Sequence, residues 1–365
     1  MKAKYLGIEN YKHGTSNKLG ILVVNLGTPE APTAEALRSY LGEFLSDPRV
    51  IEIPKFIWNF ILHGIILRVR PAKSAKAYAK VWQEGGSPLM VSSRKLTELI
   101  ADKLKQEYQS DMDVRVAMRY GQPAISKELK SMQENGVQRL IVLPIYPQYS
   151  GATIGSVADA VFQEISSWRW IPELRMMGAY HDNPEYIQAI ANSVRKSWEQ
   201  TGQTDKLLIS FHGMPKRTLT LGDPYFCHCH KTARLIAEEL ALAENQWEMM
   251  FQSRFGKAEW LQPYAQQRFE ELPKEGSKRV SIICPGFAVD CLETLEEIRL
   301  EGAKSFKECG GEEFHYIDCL NTSDEHVELL VNQIADHAGS WLNKKSTAEE
   351  LVMSKGFAEK AGAKS

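Results

Sequence analysis

Short apolar runs that alternate with helical patterns limit most strongly what this sequence can fold into. The first run, residues 20–27, is apolar almost throughout, as a parallel strand covered on both faces should be. Parallel strands need crossover connections, so the alternation predicts parallel sheets with helices on both faces. The predicted strands span residues 20–27, 114–120, 140–146, 174–180, 206–211, 247–252, 280–284 and 314–319.

These strands divide into four and four near Asn183, and a chain of 365 residues is too long for most single cores. We therefore expect two similar Rossmann-like α/β domains, 18–183 and 184–342, each a four-stranded parallel sheet flanked by helices. The tail, 343–365, is expected to be a frayed helix or disordered. No glycine-rich dinucleotide fingerprint follows any strand, which argues against a nucleotide-binding domain.

Charge and cysteine usage exclude several other classes of protein. The formal net charge of −2 provides no general attraction for nucleic acid. The six cysteines lack the spacing of a disulfide framework, and the first residues lack the apolar core of a signal peptide. We expect a reducing, cytoplasmic setting.

The most apolar helical segment, residues 56–67, is far shorter than the roughly 20 residues that a membrane-spanning helix needs. Two interpretations stay open. The segment is either a core helix or part of an apolar lip that spans about residues 50–90. Such a lip would rim a hydrophobic pocket or rest on a membrane. In the second case Arg68 and Arg70 would meet anionic groups.

A histidine follows the buried strand 206–211. Gly213 and Pro215 end that strand, so His212 should lie at its carboxyl end, where open α/β sheets bind ligands. Histidine takes up a proton near neutral pH, so a general base here is chemically reasonable. A hydrogen-bonded structural histidine is the ordinary alternative.

A series of carboxylates follows the strand 280–284. Asp290, Glu293, Glu297 and Glu301 recur at spacings of three, four and four, which would align them on one face of an α-helix. A solvated acidic face is the simple explanation. Because Asp290 and Glu293 follow a strand end, however, we expect them to share a crevice with His212, and a base beside carboxylates suits the movement of protons or divalent cations.

Two further motifs leave their roles open. Arg119 and Tyr120 close the second strand and offer a cation beside an aromatic ring, or only a surface salt bridge. Cys227 and Cys229 alternate with histidines, but their spacing is too tight for a zinc ribbon, and on a helix these side chains would point in several directions. A bound metal or iron–sulfur cluster is therefore not favoured.

Taken together, these segments resemble ferrochelatase, the family that inserts ferrous iron into protoporphyrin at the end of haem synthesis. The match runs from about Gly20 to Trp341, and the order of its pieces is specific. The matching segments are Asn25-Leu-Gly-Thr-Pro, Gly85-Gly-Ser-Pro, Arg119-Tyr, Tyr146-Pro-Gln-Tyr-Ser, Ser210-Phe-His-Gly-Met-Pro, Gln252-Ser-Arg-Phe-Gly with Trp260, and Pro285-Gly-Phe-Ala-Val-Asp-Cys-Leu-Glu-Thr-Leu-Glu.

The resemblance implies a porphyrin cleft between the two domains and a set of catalytic residues. It assigns the family's histidine role to His212 and the active-site glutamate to Glu293, the two residues expected to meet the metal. Asp290 lies beside them, and Glu297 and Glu301 continue an acidic path. The division of labour between proton removal and metal delivery stays open.

The resemblance also implies a porphyrin pocket. Arg119, Tyr120, Tyr146 and Trp260 match pocket positions, and Leu26 falls where the family has an apolar residue under the macrocycle. The propionates would meet Arg119 or basic groups near the lip. The segment 56–67 matches the lip at the cleft mouth, with peripheral contact to the inner membrane as an expectation. A monomer and a homodimer both stay open.

Ferrous iron and protoporphyrin IX are the expected substrates. Some members of the family carry a [2Fe–2S] cluster on a C-terminal cysteine group, but no cysteine follows Cys319 here. Cys227 and Cys229 leave a differently placed cluster open. Some relatives have a histidine where this chain has Cys291, so a second imidazole is not expected. Two rival functions stay open, a tetrapyrrole or metal carrier without catalysis and a cobalt or nickel chelatase.

Overall fold

The computed structural model describes residues 5–8, 11, 18–108, 112–342 and 347–363. All eight predicted strands are present in this part of the chain, and they form two four-stranded sheets in which every neighbouring pair is parallel. The predicted fold class is confirmed. The strands are β1 (Lys18–Gly27), β2 (Met112–Tyr120), β3 (Val137–Pro144), β4 (Glu173–Met176), β5 (Lys206–His212), β6 (Trp247–Gln252), β7 (Arg279–Ile283) and β8 (Glu313–Tyr316).

The two sheets have the same topology. Their strand orders are β2-β1-β3-β4 and β6-β5-β7-β8, so the order reverses between β1 and β3 in the first sheet and between β5 and β7 in the second. Ligands of open α/β sheets bind beyond the carboxyl ends of the strands at such switch points. The expected site residues His212, at the end of β5, and Asp290 and Glu293, after β7, therefore follow the two strands that flank the second switch point.

Helices connect most of the strands. The α-helices are α1 (Ala34–Phe44), α2 (Lys55–Ile61), α3 (Leu67–Val81), α4 (Pro88–Tyr108), α5 (Ile125–Glu134), α6 (Ser156–Ile165), α7 (Pro184–Thr201), α8 (Lys216–Thr220), α9 (Tyr225–Glu239), α10 (Ala265–Glu271), α11 (Ala303–Glu308), α12 (Asp324–Ala338) and α13 (Ala348–Lys360). Three further segments are π-helical, Leu62–Ile66, Gly151–Gly155 and Glu293–Gly302, and two are 3₁₀ turns, Glu244–Gln246 and Gly339–Trp341.

The two halves share one hydrophobic core. Ile21 of β1, Ile209 of β5 and Ile334 of α12 belong to the same buried cluster, because α12 packs back onto α4 and β3 of the first half. Arg175 of β4 reinforces this contact. Its guanidinium donates to backbone carbonyls at the end of α12 and lies 3.8 Å from the centre of the Trp341 ring.

The apolar segment 56–67, the expected lip, exposes one face and packs the other on a buried cluster of the first half. Phe56 and Phe60 are each 78% exposed, and Ile65 and Val69 are also largely open to solvent, whereas Leu62 on the opposite face is buried. Within the described part of the chain no helix is long and apolar enough to cross a membrane.

Pro71 lies inside α3, where its missing N–H leaves the carbonyl of Leu67 without an intrahelical donor. Arg38 of α1 donates to that carbonyl at 3.0 Å. This hydrogen bond helps to hold α3, the helix that follows the segment 56–67, against α1.

In the tail, for which the sequence left helix or disorder open, α13 occupies 348–360. Residues 343–346 and 364–365 lie outside the described part.

His326, in the first turn of α12, is a buried histidine that donates from Nδ1 to the Asn321 carbonyl at 2.7 Å. Burial lowers the pKa of His326 from its ordinary value of 6.5 to about 4. The folded protein therefore keeps this side chain neutral where the unfolded chain would bind a proton. Its stabilising contribution is complete above pH 6.5 and is lost as the pH falls through 4.

We predict that His326→Asn, which keeps a donor near the Asn321 carbonyl, makes the free energy of unfolding less dependent on pH between 7 and 4. The difference from wild type across this interval should reach about 3 kcal/mol. Urea titrations at several pH values measure it, and the exposed His63→Asn serves as the control. Equal acid sensitivity of wild type and His326→Asn would contradict the prediction.

Candidate active site

His212 ends β5 with its imidazole in a defined orientation. Its Nδ1 lies 2.7 Å from the Gly213 carbonyl oxygen, and because a carbonyl only accepts, this hydrogen bond places the ring proton on Nδ1. Nε2 then keeps a free lone pair. The Tyr225 hydroxyl donates to the His212 carbonyl at 3.0 Å, which fixes the backbone at the same point. The half-buried imidazole is thus arranged to accept a proton at Nε2.

Gly213 allows the close packing behind this histidine. A Cβ at that position would lie 2.6 Å from the Gln252 carbonyl oxygen and 3.0 Å from the Trp260 ring. Any larger residue would push apart the ends of β5 and β6. Trp260, one of the predicted pocket residues, is 4% exposed and packs against the loop that follows His212.

Asp290 is buried, and its carboxylate is fully engaged. It accepts hydrogen bonds from Thr294 Oγ1 at 2.8 Å, from Asn321 Nδ2 at 2.6 Å and from the Tyr316 hydroxyl. The Asp290 N–H in turn donates to Asn321 Oδ1 at 2.8 Å. These contacts fix the turn that leads into the next helix, and they leave Asp290 less free than its place in the predicted carboxylate series suggested.

The helix that carries the glutamates is a π-helix, Glu293–Gly302, and not the predicted α-helix. Its hydrogen bonds join residues five apart, a winding that is rare and often found at functional sites. Two residues of the neighbouring strands support its first turn. Ser210 Oγ donates to Gln252 Oε1 at 2.8 Å, and Gln252 Nε2 donates to the Glu293 carbonyl at 2.8 Å.

Glu297 is a half-buried carboxylate of the site. Burial raises the pKa of Glu297, and the charge of Glu293 adds to that rise. The hydrogen bonds from Ser253 and the charge of the nearby His212 oppose it. Ser253 donates to this carboxylate from its backbone N–H at 2.6 Å and from its hydroxyl at 2.5 Å. The charges of His212 and Glu293 thus both act on the Glu297 carboxylate.

Glu293 also faces the first domain. Burial raises the pKa of Tyr40 and of Tyr78, and the charge of Glu293 contributes to both shifts. Tyr40 donates to the Gly27 carbonyl at 3.1 Å. Neither tyrosine carries a signal in the sequence, since each lies on a helix far from any motif. Gln252 and Ser253 had no predicted role, although both lie at a strand end.

Glu301 takes a different place from Glu297. It lies at the surface beside Glu296, and both carboxylates contact Lys80 of α3. The expected column of four carboxylates is therefore divided, because Asp290 is anchored internally and Glu301 turns toward the first domain.

The predicted pocket residues of the first domain lie near the first switch point. Leu26 packs on a buried cluster that also receives Leu292, so the two halves meet there. The Tyr146 hydroxyl is buried and has no hydrogen-bond partner among the described residues. Arg119 and Tyr120, by contrast, are engaged within their own domain.

Asp47 is the common partner of that pair. Arg119 Nη2 donates to it at 2.6 Å, and the Tyr120 hydroxyl donates to the same carboxylate at 2.8 Å. Arg119 also donates from Nε to Ser156 Oγ at 2.7 Å. The guanidinium expected to meet a substrate carboxylate already has an anionic partner.

The residues around Cys227 and Cys229 do not fit an iron–sulfur cluster. Cys227 is exposed and Cys229 is buried, so the two thiols point to different sides of α9. His228 between them stacks on His181 at 3.6 Å and accepts a hydrogen bond from the Tyr149 N–H. A [2Fe–2S] cluster takes four ligands, and the described chain contains no group of three or more residues that could hold a metal ion.

Comparison with known proteins agrees with this architecture. The family model described as "Ferrochelatase" matches residues 18–338. The protein named ferrochelatase from Marinobacter nauticus is 48% identical over 355 residues, which cover 97% of this chain and 96% of that protein. The ferrochelatase from Alcanivorax borkumensis is 52% identical over 338 residues, or 93% of this chain and 99% of that protein.

Among solved structures, SirB from Bacillus subtilis with Fe3+ superposes with a TM-score of 0.52 at 10% identity. The match covers 90% of this chain and 98% of SirB. At that identity the likeness concerns the fold alone, and it agrees with two Rossmann-like sheets. Because the family match spans both sheets and the site between them, and because relatives of about half identity match almost end to end, the chain belongs to the ferrochelatase family.

Proposed function

We infer that this chain is a protoporphyrin ferrochelatase, a lyase that inserts Fe2+ into protoporphyrin IX and releases two protons in the last step of haem synthesis. Family membership over nearly the whole chain supports the reaction. The observation that carries the assignment to this site is the orientation of His212 at the switch point of the second sheet, where its Nδ1 lies 2.7 Å from the Gly213 carbonyl oxygen and Nε2 is left free.

His212 is proposed as the base. Metallation must remove two pyrrole protons, and Nε2 is the ring nitrogen left free by the hydrogen bond to Gly213. Glu297 lies close enough to His212 for their charges to interact, and Glu293 lies close enough to Glu297, so these carboxylates offer a path for a proton taken by His212. Asp290 would act indirectly, since its hydrogen bonds to Thr294 and Asn321 hold the start of the π-helix.

Iron is the substrate, and the site suits transient binding of the ion. We propose that His212 and Glu293 meet the arriving ion. The described residues offer no third ligand grouped with them, and a weakly held ion is easier to pass to four pyrrole nitrogens than one held in a closed site.

The porphyrin would lie between Leu26 and Tyr146 on one side and Trp260 and His212 on the other. These apolar and aromatic surfaces suit a flat hydrophobic macrocycle. Because Arg119 is paired with Asp47, we propose that the propionates point to the lip, where Arg70 lies 5.4 Å from the centre of the Phe255 ring.

We further propose that the enzyme works in the cytoplasm with its lip against the inner membrane. The exposed Phe56 and Phe60, followed by Arg68 and Arg70, combine apolar side chains with cations that would meet anionic headgroups. Such a position would let a poorly soluble porphyrin enter the cleft from the bilayer.

The first test of the proposal is His212→Ala. Without the base, anaerobic insertion of ferrous iron into protoporphyrin IX, followed by absorbance, should slow by about 100-fold or more. Far-UV circular dichroism should not change, and the variant should still bind porphyrin. His315→Ala, on the edge strand β8, is the control, and near-normal turnover by His212→Ala would remove the proposed role. Porphyrin binding by wild type without metallation would favour a carrier.

The second test addresses the lip. The double variant Phe56→Ser/Phe60→Ser should sediment with anionic liposomes about tenfold less well, since two apolar side chains are lost from the contact. Val352→Ser/Phe357→Ser removes two exposed apolar residues of α13, 72% and 64% exposed, and is the matched control. Equal liposome binding by the lip variant and wild type would contradict the membrane contact.

A further inference from the structure

Lys80 makes an ion-pair network that the mechanism above does not use. It lies in the last turn of α3, and its Nζ is 2.9 Å from Glu296 Oε1 and 2.8 Å from Glu301 Oε1. Both carboxylates belong to the π-helix of the second domain, so this single ammonium joins the helix after the lip to the helix that carries Glu293 and Glu297.

The spacing of the two carboxylates matches the winding of that helix. Glu296 and Glu301 are five residues apart. In an α-helix such residues point about 140° away from each other, whereas the i→i+5 hydrogen bonds of a π-helix bring residues five apart much closer to the same side. The π-winding is what places both carboxylates on the same side, within reach of Lys80.

The opposite side of the π-helix is held by its own domain. Ser253 binds the Glu297 carboxylate, and Gln252 binds the Glu293 carbonyl. Lys80 contacts the π-helix from the first half of the chain. Tyr78, on the same helix as Lys80, lies close enough to Glu293 for the charge of Glu293 to raise the pKa of Tyr78. The helix is therefore held between the two halves, with Glu293 facing the seam.

We propose that Lys80 is a positioning residue for metallation, clamping the π-helix against α3 so that Glu293 keeps its place relative to His212. This inference rests on the function proposed above. Lys80 makes its ion pairs with Glu296 and Glu301, and not with His212 or the proposed porphyrin-lining residues. It acts through the winding and the position of the helix.

The clamp should affect the position of Glu293 more than the free energy of unfolding of the protein. The side chains of Lys80, Glu296 and Glu301 are 47%, 17% and 48% exposed, and ion pairs this open to solvent contribute little to the free energy of unfolding. They are also screened by salt. Catalysis is more sensitive, because a displacement of about 1 Å caused by a remote mutation can cost up to about 100-fold in rate.

The test compares Lys80→Met with Lys80→Arg and with Lys76→Met. Lys76 lies one turn earlier on α3, is exposed, and makes no ion pair with any described residue. Lys80→Met should lower kcat about tenfold, with the KM for protoporphyrin changed less than about twofold and the melting temperature nearly unchanged. Lys80→Arg should recover most of the rate, and Lys76→Met should match wild type. Raising the salt concentration should narrow the gap between wild type and Lys80→Met.

A mutant cycle then tests whether Lys80 acts through the carboxylates. Glu296→Gln/Glu301→Gln should lose about as much kcat as Lys80→Met, and the triple variant should be no worse than either, because all three remove the same clamp. Additive losses, a change confined to the KM for iron, or an unaffected Lys80→Met would each overturn the proposal while leaving the ferrochelatase assignment intact. A wild type without turnover would overturn both.

Discussion

The hydrogen bonds between the end of β6 and the π-helix hold the candidate site together. Gln252 binds the Glu293 carbonyl and Ser253 binds the Glu297 carboxylate, so two consecutive residues fix the first turn of that helix. Removing a carboxylate from water costs free energy unless donors compensate for it, and the Ser253 N–H and hydroxyl provide that compensation. Since His212 pairs with Gln252 in the sheet, the register of β5 and β6 fixes the position of the candidate base relative to the glutamates.

A second series of hydrogen bonds connects α12 to the start of the π-helix. His326 of α12 binds the Asn321 carbonyl, Asn321 binds Asp290, and Asp290 binds Thr294 in the π-helix. The same α12 packs against the first domain. The helix that joins the two halves thus also anchors the turn before the glutamates, and Asp290 has a clearer function in this anchoring than in direct chemistry.

Much of the architecture could be predicted from local patterns. All eight strands and the location of His212 at a strand end follow from apolar runs and from the residues that break them. The winding of the glutamate helix could not be predicted, because spacings of three and four suit an α-helix and hold only approximately in a π-helix. The partners of this helix include Gln252 and Lys80, which are distant from it in sequence. For the same reason Tyr40 and Tyr78 went unnoticed, and Glu301 was grouped with Glu297 and not with Glu296.

The sequence by itself determined the doubly wound fold, the candidate base and the ferrochelatase family, because periodicity, strand ends and ordered motifs are properties of neighbouring residues. The tertiary structure decided which polar groups remain free to act. It pairs Arg119 with Asp47, surrounds Asp290 with hydrogen bonds, half-buries Glu297 near His212 and exposes the lip. These outcomes depend on burial and on partners brought together from distant parts of the chain, and desolvation and pairing are what change the chemistry of a side chain.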